Sequence, residues 1–255
     1  MNNIMIICRK EIRSYFTSPI AYGLLAFFAF IYGWFFYAAV RFFVQRGTDM
    51  MMSGRGGPMD VNEWVIRPLA MNVAVINLFI IPMITMRLFA EEKRSGTIEL
   101  LATSPIRDIE IILGKWFAAV ILYACALLLS LFDVGLLFFY GQPEWKPILV
   151  SYLGLLLLGA ALLAIGAFLS NTTRNQIVAG ISTFAVCLIL WVMDWMFAFD
   201  QSAVGKAISY ISINSRLDNF SKGVLDTKDI IFYLSVVFFG LFMTARSMES
   251  LRLRS

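Results

Sequence analysis

The stretch Arg87–Lys115, RLFAEEKRSGTIELLATSPIRDIEIILGK, governs the reading of the whole chain. It is the one charge-dense segment lying between two long apolar runs. It opens on Glu91-Glu92-Lys93-Arg94, passes through Ser95-Gly96-Thr97 and breaks again at Ser104-Pro105 before the next apolar run. Gly96 ends the helix leaving the first of these runs, since glycine costs about 1 kcal/mol in a helix interior. Pro105 suits the first turn of a new helix, where its missing N–H is not needed, and Ser104 is the natural N-cap. Between the breaks the spacing predicts an isolated helix of about two turns, with Ile98, Leu101 and Ala102 at i, i+3, i+4 and Glu99 off that stripe. A short two-sided helix of this kind either presses against a partner or lies as a hairpin on lipid headgroups.

Outward from this stretch the chain is apolar. It has 255 residues, 60% of them hydrophobic, and a mean hydropathy of +0.77. A soluble domain is about 45–50% apolar, so the composition implies an integral membrane protein. A spanning helix needs about 20 apolar residues. Six runs meet or approach this: 20–40, 68–86, 116–139, 148–169, 177–199 and the shorter 230–245. The expected fold is all-α with six transmembrane helices. Residues 1–19 set Ile4, Ile7 and Ile12 against Arg9, Lys10 and Arg13, the pattern of an amphipathic helix flat in the interface. Ser18-Pro19 repeats the cap-and-start device of Ser104-Pro105. No cleavable signal is expected, because no short apolar region with a cleavage site precedes those charges.

Six spans put both termini on one side. Twelve of the 21 Lys and Arg fall on the side of 87–115 and nine on the other, a modest bias that places 87–115 in the cytosol. On the outer side, Ser53-Gly54-Arg55-Gly56-Gly57-Pro58 is a flexible turn, and 200–229 reads as one or two interfacial helices with Val204, Ile208 and Ile211 on one face. No internal repeat supports an inverted-repeat transporter.

Several chemistries are excluded. The chain has no histidine, which removes Ser-His and Cys-His catalysis and His-ligated metals. Cys8, Cys125 and Cys187 are far apart and form no CxxC pair. The net charge of +4 is too small and too dispersed to argue for nucleic acid. Neither the glycine-rich turn at 53–58 nor Gly114-Lys115-Trp116 has the spacing and Ser/Thr of a phosphate-binding loop. ATP is therefore expected to be bound and hydrolysed on another polypeptide, and no cofactor or metal is expected here.

Four carboxylate or amide residues lie within the apolar runs. Asp133 is the costliest, roughly 2.5–3.5 kcal/mol on insertion scales. It reads either as a contact on a translocation path or as a hydrogen-bonded lock between helices. Asp194, between Trp191 and Trp195, suits headgroup water or a place on the translocation path. Asn72 and Asn77 serve as interhelical glue or as path-lining ligands. Ala160 and Ala164, flanked by Gly159 and Gly166, mark close helix packing.

The run Glu91 to Leu101, with Ser104-Pro105 and Gly114-Lys115, resembles the signature of the type-2 permeases of the ATP-binding-cassette family. So do Lys10-Glu11-Ile12 with Tyr15-Phe16 and Ser18-Pro19 at the start, and Phe220-Ser221-Lys222-Gly223-Val224-Leu225-Asp226 before the last run. The opening and closing motifs look most like the branch that includes gliding-motility and nitrous-oxide-reductase accessory permeases. The resemblance implies that 90–105 is a coupling helix docking on an ATPase subunit. Glu91, Glu92, Arg94, Ser95, Gly96, Thr97, Glu99 and Leu100 would carry the dock, with Gly96 supplying the bend. It implies a non-catalytic exporter subunit of a bacterial or archaeal cytoplasmic membrane, paired with a second permease as a homodimer or heterodimer. Membrane lipids would surround it, and ATP and Mg would sit on the ATPase. Two other readings are a force-transmitting scaffold and an intramembrane enzyme. The missing histidine and the unpaired Asp133 and Asp194 argue against the enzyme.

Overall fold

The computed structural model describes residues 3–53, 59–97, 106–141, 143–197, 212–213 and 215–252. Among them every regular element is helical. Helix α1, Asn3–Thr17, ends at Ser18, whose extended backbone and hydroxyl cap α2, Pro19–Met52. The Ser18 oxygen accepts from the Ile20 N–H at 3.4 Å, and Pro19 occupies the first turn. A π-helical turn, Asn62–Ile66, runs without a break into α3, Arg67–Thr85. The short helix α4, Ala90–Ser95, stops at Gly96, which adopts φ 74°. That left-handed value favours a residue without Cβ, which is why the helix ends there. The remaining helices are α5 (Asp108–Tyr140), α6 (Trp145–Thr172), α7 (Gln176–Phe197), α8 (Leu217–Ser221) and α9 (Thr227–Arg252). The segment 98–105, which holds most of the expected isolated helix, lies outside the described residues, as do 200–211 and 214, with Val204, Ile208 and Ile211 among them.

Among the described residues six helices are long and apolar enough to cross a membrane, one for each apolar run. Several overshoot their run. Helix α2 has 34 residues, about 51 Å at 1.5 Å per residue, against a hydrocarbon core of about 30 Å. Arg41, Arg46 and Asp49 end the apolar run but not the helix, since charge is compatible with helical backbone in water.

Helices α3 and α6 are the most buried; α2 and α7 are mostly exposed. Helix α6 touches α3, α5, α7, α8 and α9. It can do so because small residues line it. A Cβ on Gly154 would lie 2.5 Å from Phe220, one on Gly159 would lie 2.1 Å from the Tyr123 ring, and one on Gly166 would lie 2.5 Å from Thr85. From the other side, a Cβ on Gly240 of α9 would meet the Ala164 backbone at 2.9 Å. Without a hydrophobic driving force between helices in lipid, such close approach is what dispersion-driven packing requires. The outward faces of α2 and α7 carry Phe30, Trp34 and Tyr37, and Ile177, Ile181 and Ile189.

Candidate functional site

The charge-dense stretch is organised around a buried cation. Lys115 is only 2% exposed. Its Nζ lies 3.0 Å from Glu11 Oε1 on α1 and 2.9 Å from Glu92 Oε1 on α4. The Phe89 ring centroid is 5.6 Å away. Lys10 adds a more distant cation, 3.7 Å from Glu11 and 4.0 Å from Glu92. Gly114 makes this meeting sterically feasible. A Cβ there would lie 2.8 Å from the Ile7 side chain, so α1 can cross α5 closely enough for Glu11 to reach Lys115. Lys10-Glu11, Glu92 and Gly114-Lys115 are far apart in sequence, and in space they form one cluster.

A second set of bonds fastens α4 to the end of α6. The Ser170 hydroxyl accepts from the Phe89 and Ala90 N–H groups at 3.1 and 3.2 Å, two of the donors that a helix start leaves without an intrahelical partner. Lys93 Nζ donates to the Asn171 carbonyl at the C-terminal end of α6. Asn171 in turn donates to the Thr244 carbonyl of α9 at 3.3 Å. The Tyr15 hydroxyl is buried beside these charges and has no partner among the described residues. Burial first, then the Glu11 carboxylate, pushes its pKa above the ordinary value, so it is a neutral donor at physiological pH. With Arg87 it lines a cavity of about 20 Å³, room for one water.

The residues expected to carry the dock divide into two groups. Glu92 is turned inward to Lys115, and Glu91 is paired with Arg87 at 2.9 and 3.0 Å. Arg94, Ser95, Gly96 and Thr97 are exposed. Ser95 Oγ bonds the Glu91 carbonyl at 3.0 Å and lies 2.9 Å from Thr97 Oγ1, which tightens the end of α4. Glu99 and Leu100 lie outside the described residues. Sequence reasoning quoted Glu11 and Lys115 within motifs but assigned them no role. The available signal was a lysine at the mouth of an apolar run, which needs a countercharge.

The four carboxylate or amide residues of the apolar runs are scattered, and no hydrogen bond or ion pair among the described residues joins them. Asn72 lines a cleft of about 560 Å³ between the end of α2 and the start of α3, with Phe35, Phe42, Trp64, Arg67 and Met71. Asn77 is fully buried next to the Tyr123 side chain. Asp133 is half-buried on α5 and hydrogen-bonds to no described residue, so no described hydrogen bond supports the helix-lock reading. Asp194 is on α7, with its side chain outside the described residues. At the mouth of the cleft, Arg67 Nε and Nη2 hold Asp218 Oδ1 at 3.2 and 2.7 Å, and Lys222 pairs with Oδ2. Burial alone would raise the Asp218 pKa, but the hydrogen bonds from Lys222 and Arg67 hold it below the usual carboxylate range.

The closing motif is structural here. Gly223 adopts φ 78°, and Asp226 Oδ1 caps α9 by accepting from the Lys228 N–H at 2.9 Å. Buried Asp229 holds Arg216 at 2.6 Å and Asn219 at 2.8 Å, which ties α8 to α9. No group of histidine, cysteine and carboxylates that could hold a metal occurs among the described residues.

The family described as "ABC-2 family transporter protein" matches residues 5–246, nearly the whole chain. No curated protein matches it. The match spans α1, the charged cluster and all six long helices, so the chain belongs to the ABC-2 family of transporter proteins, as a multi-pass membrane permease.

Proposed function

We propose that this permease is the substrate-moving half of an exporter whose ATP hydrolysis takes place on a separate subunit, and that the segment from Ala90 to Pro105 transmits the stroke. The observation that carries this reading is the double fastening of α4, to α1 and α5 through Lys115 and to α6 through Ser170 and Lys93. An element that passes on a conformational bias must move with the membrane helices rather than swing freely. Here the start of α4 and Lys93 are joined to α6, and Glu92 between them is joined through Lys115 to α1 and α5. Arg94 and Thr97 face outward beyond the internal charge pairs and, with Glu99 and Leu100, would meet the ATPase. Glu91 and Glu92 would act from behind, by holding the segment. Two permeases would pair, with ATP and Mg bound by the ATPase subunits and both termini in the cytosol. ATP then favours the closed ATPase dimer, and the coupling segment passes that preference to the permease.

Charge reversal at Glu99 tests the dock. Like charges facing across an interface cost several kcal/mol, enough to empty a complex of micromolar affinity, about −8 kcal/mol. Glu99→Lys is expected to leave membrane abundance normal and to abolish co-purification of the ATPase. A reversed charge in the ATPase groove is expected to restore it. Retention of the ATPase by Glu99→Lys would show that the dock lies elsewhere.

A further inference from the structure

Two adjoining clefts at the end of α2 and the start of α3 share Glu63 and Arg67. The larger, about 560 Å³, is walled mainly by Phe35, Phe42, Trp64 and Met71. The smaller, about 400 Å³, is polar and includes Asp60, Asn62, Glu144 and Lys222. Its charges are unequally answered. Arg67 and Lys222 are both engaged with one carboxylate, Asp218. Asp60, Glu63 and Glu144 form no ion pair among the described residues. Asn62 is 8% exposed, and among the described residues its Oδ1 has no hydrogen-bond partner. The polar lobe therefore offers acceptors in excess: the Glu63 and Glu144 carboxylates, Asp60, whose Oδ1 already accepts from the Asn62 N–H at 2.9 Å, and the buried Asn62 amide oxygen, unanswered among the described residues. An anion would have to displace Asp218 from both cations and approach those carboxylates. A group with several N–H donors and a positive charge meets no such obstacle. Beside it, the Phe42 and Trp64 rings stack 6.3 Å apart, offering an apolar surface that also attracts cations. The π-helical turn Asn62–Ile66 carries Asn62, Glu63 and Trp64 on one widened turn of backbone, a distortion found frequently at functional sites.

We propose that the joined clefts bind an amphiphile bearing a primary ammonium, with its N–H donors at Glu63 and Asn62 and its apolar chain against Phe35, Phe42 and Trp64. Two sources share this chemistry: a phospholipid with an amine headgroup and a free long-chain amine. The proposal does not depend on what the permease exports. The test is native mass spectrometry of the full chain in a non-ionic maltoside detergent, titrated separately with phosphatidylethanolamine, dodecylamine and phosphatidylglycerol. At least one of the two amines is expected to bind, and phosphatidylglycerol is not. Binding of phosphatidylethanolamine alone assigns the site to a membrane lipid. Binding of dodecylamine alone assigns it to a free amine, and binding of both makes the ammonium the sole determinant. Glu63 is exposed, so Glu63→Gln should fold normally and weaken amine binding about tenfold, the scale of one charge-assisted contact. The remote Glu249→Gln should leave binding unchanged. Failure of both amines, equal binding of phosphatidylglycerol, or unchanged amine binding in Glu63→Gln would overturn the proposal.

Discussion

A lysine only 2% exposed in a membrane protein is tolerated when its charge is answered, and Lys115 faces two carboxylates, Glu11 and Glu92. Removing the lysine leaves those carboxylates sharing a confined site with only the more distant Lys10. Breaking a buried pair from one side costs about 3–5 kcal/mol, while replacing all its members by uncharged groups is often close to neutral. Lys115→Met is therefore expected to lower the melting temperature sharply in detergent, and the triple variant with Glu11→Gln and Glu92→Gln should recover most of the loss. A triple variant no more stable than Lys115→Met would show that packing around the lysine stem, not charge, is what matters. Steric fit gives a second test at this scale. Gly159→Ala would drive a methyl group to within 2.1 Å of the Tyr123 ring, whereas a Cβ at Gly33 meets nothing within 4 Å. Overpacking costs about 1–3 kcal/mol, and α5 and α6 have no slack at Gly159. Gly33→Ala should be neutral or slightly stabilising in the same thermal assay, and Gly159→Ala clearly destabilising.

At the level of the element, α4 is six residues long and could not persist alone, because isolated helices shorter than about 12–15 residues are marginal in water. Its start is held by another helix through Ser170. Ser170→Ala removes the acceptor for two buried N–H groups, a loss of about 1–3 kcal/mol for each buried group left unsatisfied. Amide exchange at 89–95 is expected to quicken about tenfold or more in this variant, with the long helices unchanged. Exchange that quickened equally in α6 would instead mean that Ser170 supports the bundle as a whole. The contrast between Gly96 and Ser170 shows what was readable beforehand. Gly96 and Ser18-Pro19 act on their own backbone, so the sequence around them is enough to place a helix end. The six long helices were readable because burial in lipid demands long apolar runs. Their ends were not. The α2 run stops at Val40 because apolarity stops there, yet the backbone stays helical to Met52. Ser170 and Lys115 were invisible for another reason: their partners lie 80 or more and 104 residues away for the contacts that matter, and only the packing of α1, α4, α5 and α6 brings them together. Asp133 drew attention through its insertion cost; it lies toward the Tyr140 end of α5, which moderates that cost without any hydrogen-bonded partner among the described residues.

On the scale of the whole molecule, the order of contacts has a mechanical consequence. Helix α6 packs against α3, α5, α7, α8 and α9, and the α4 fastenings lead to its C-terminal end. Under the proposed coupling, a push on α4 is thus delivered through these hydrogen bonds to the most connected helix, with α7 also in contact and α1 and α5 joined through Lys115. The proposed coupling requires the α4 end of the bundle to face the compartment that holds ATP. Six spans, an even number, place both termini on the side of α4, while the cleft at Asn72 and the α8 region lie at the opposite end. The Lys and Arg bias of twelve against nine favours that orientation only modestly, so direct labelling is required. Single cysteines at positions 104, 172, 56 and 202 can be placed in a background where Cys8, Cys125 and Cys187 are replaced. Cys8 and Cys187 are buried and Cys125 is half-buried, so small replacements such as alanine should keep the fold. On intact cells an impermeant maleimide is expected to label 56 and 202 and to spare 104 and 172 until the membrane is opened. Protection of 202 together with labelling of 104 would turn the molecule over. It would place the Lys115 cluster outside the cell, away from ATP, and the coupling role of α4 would fall with it.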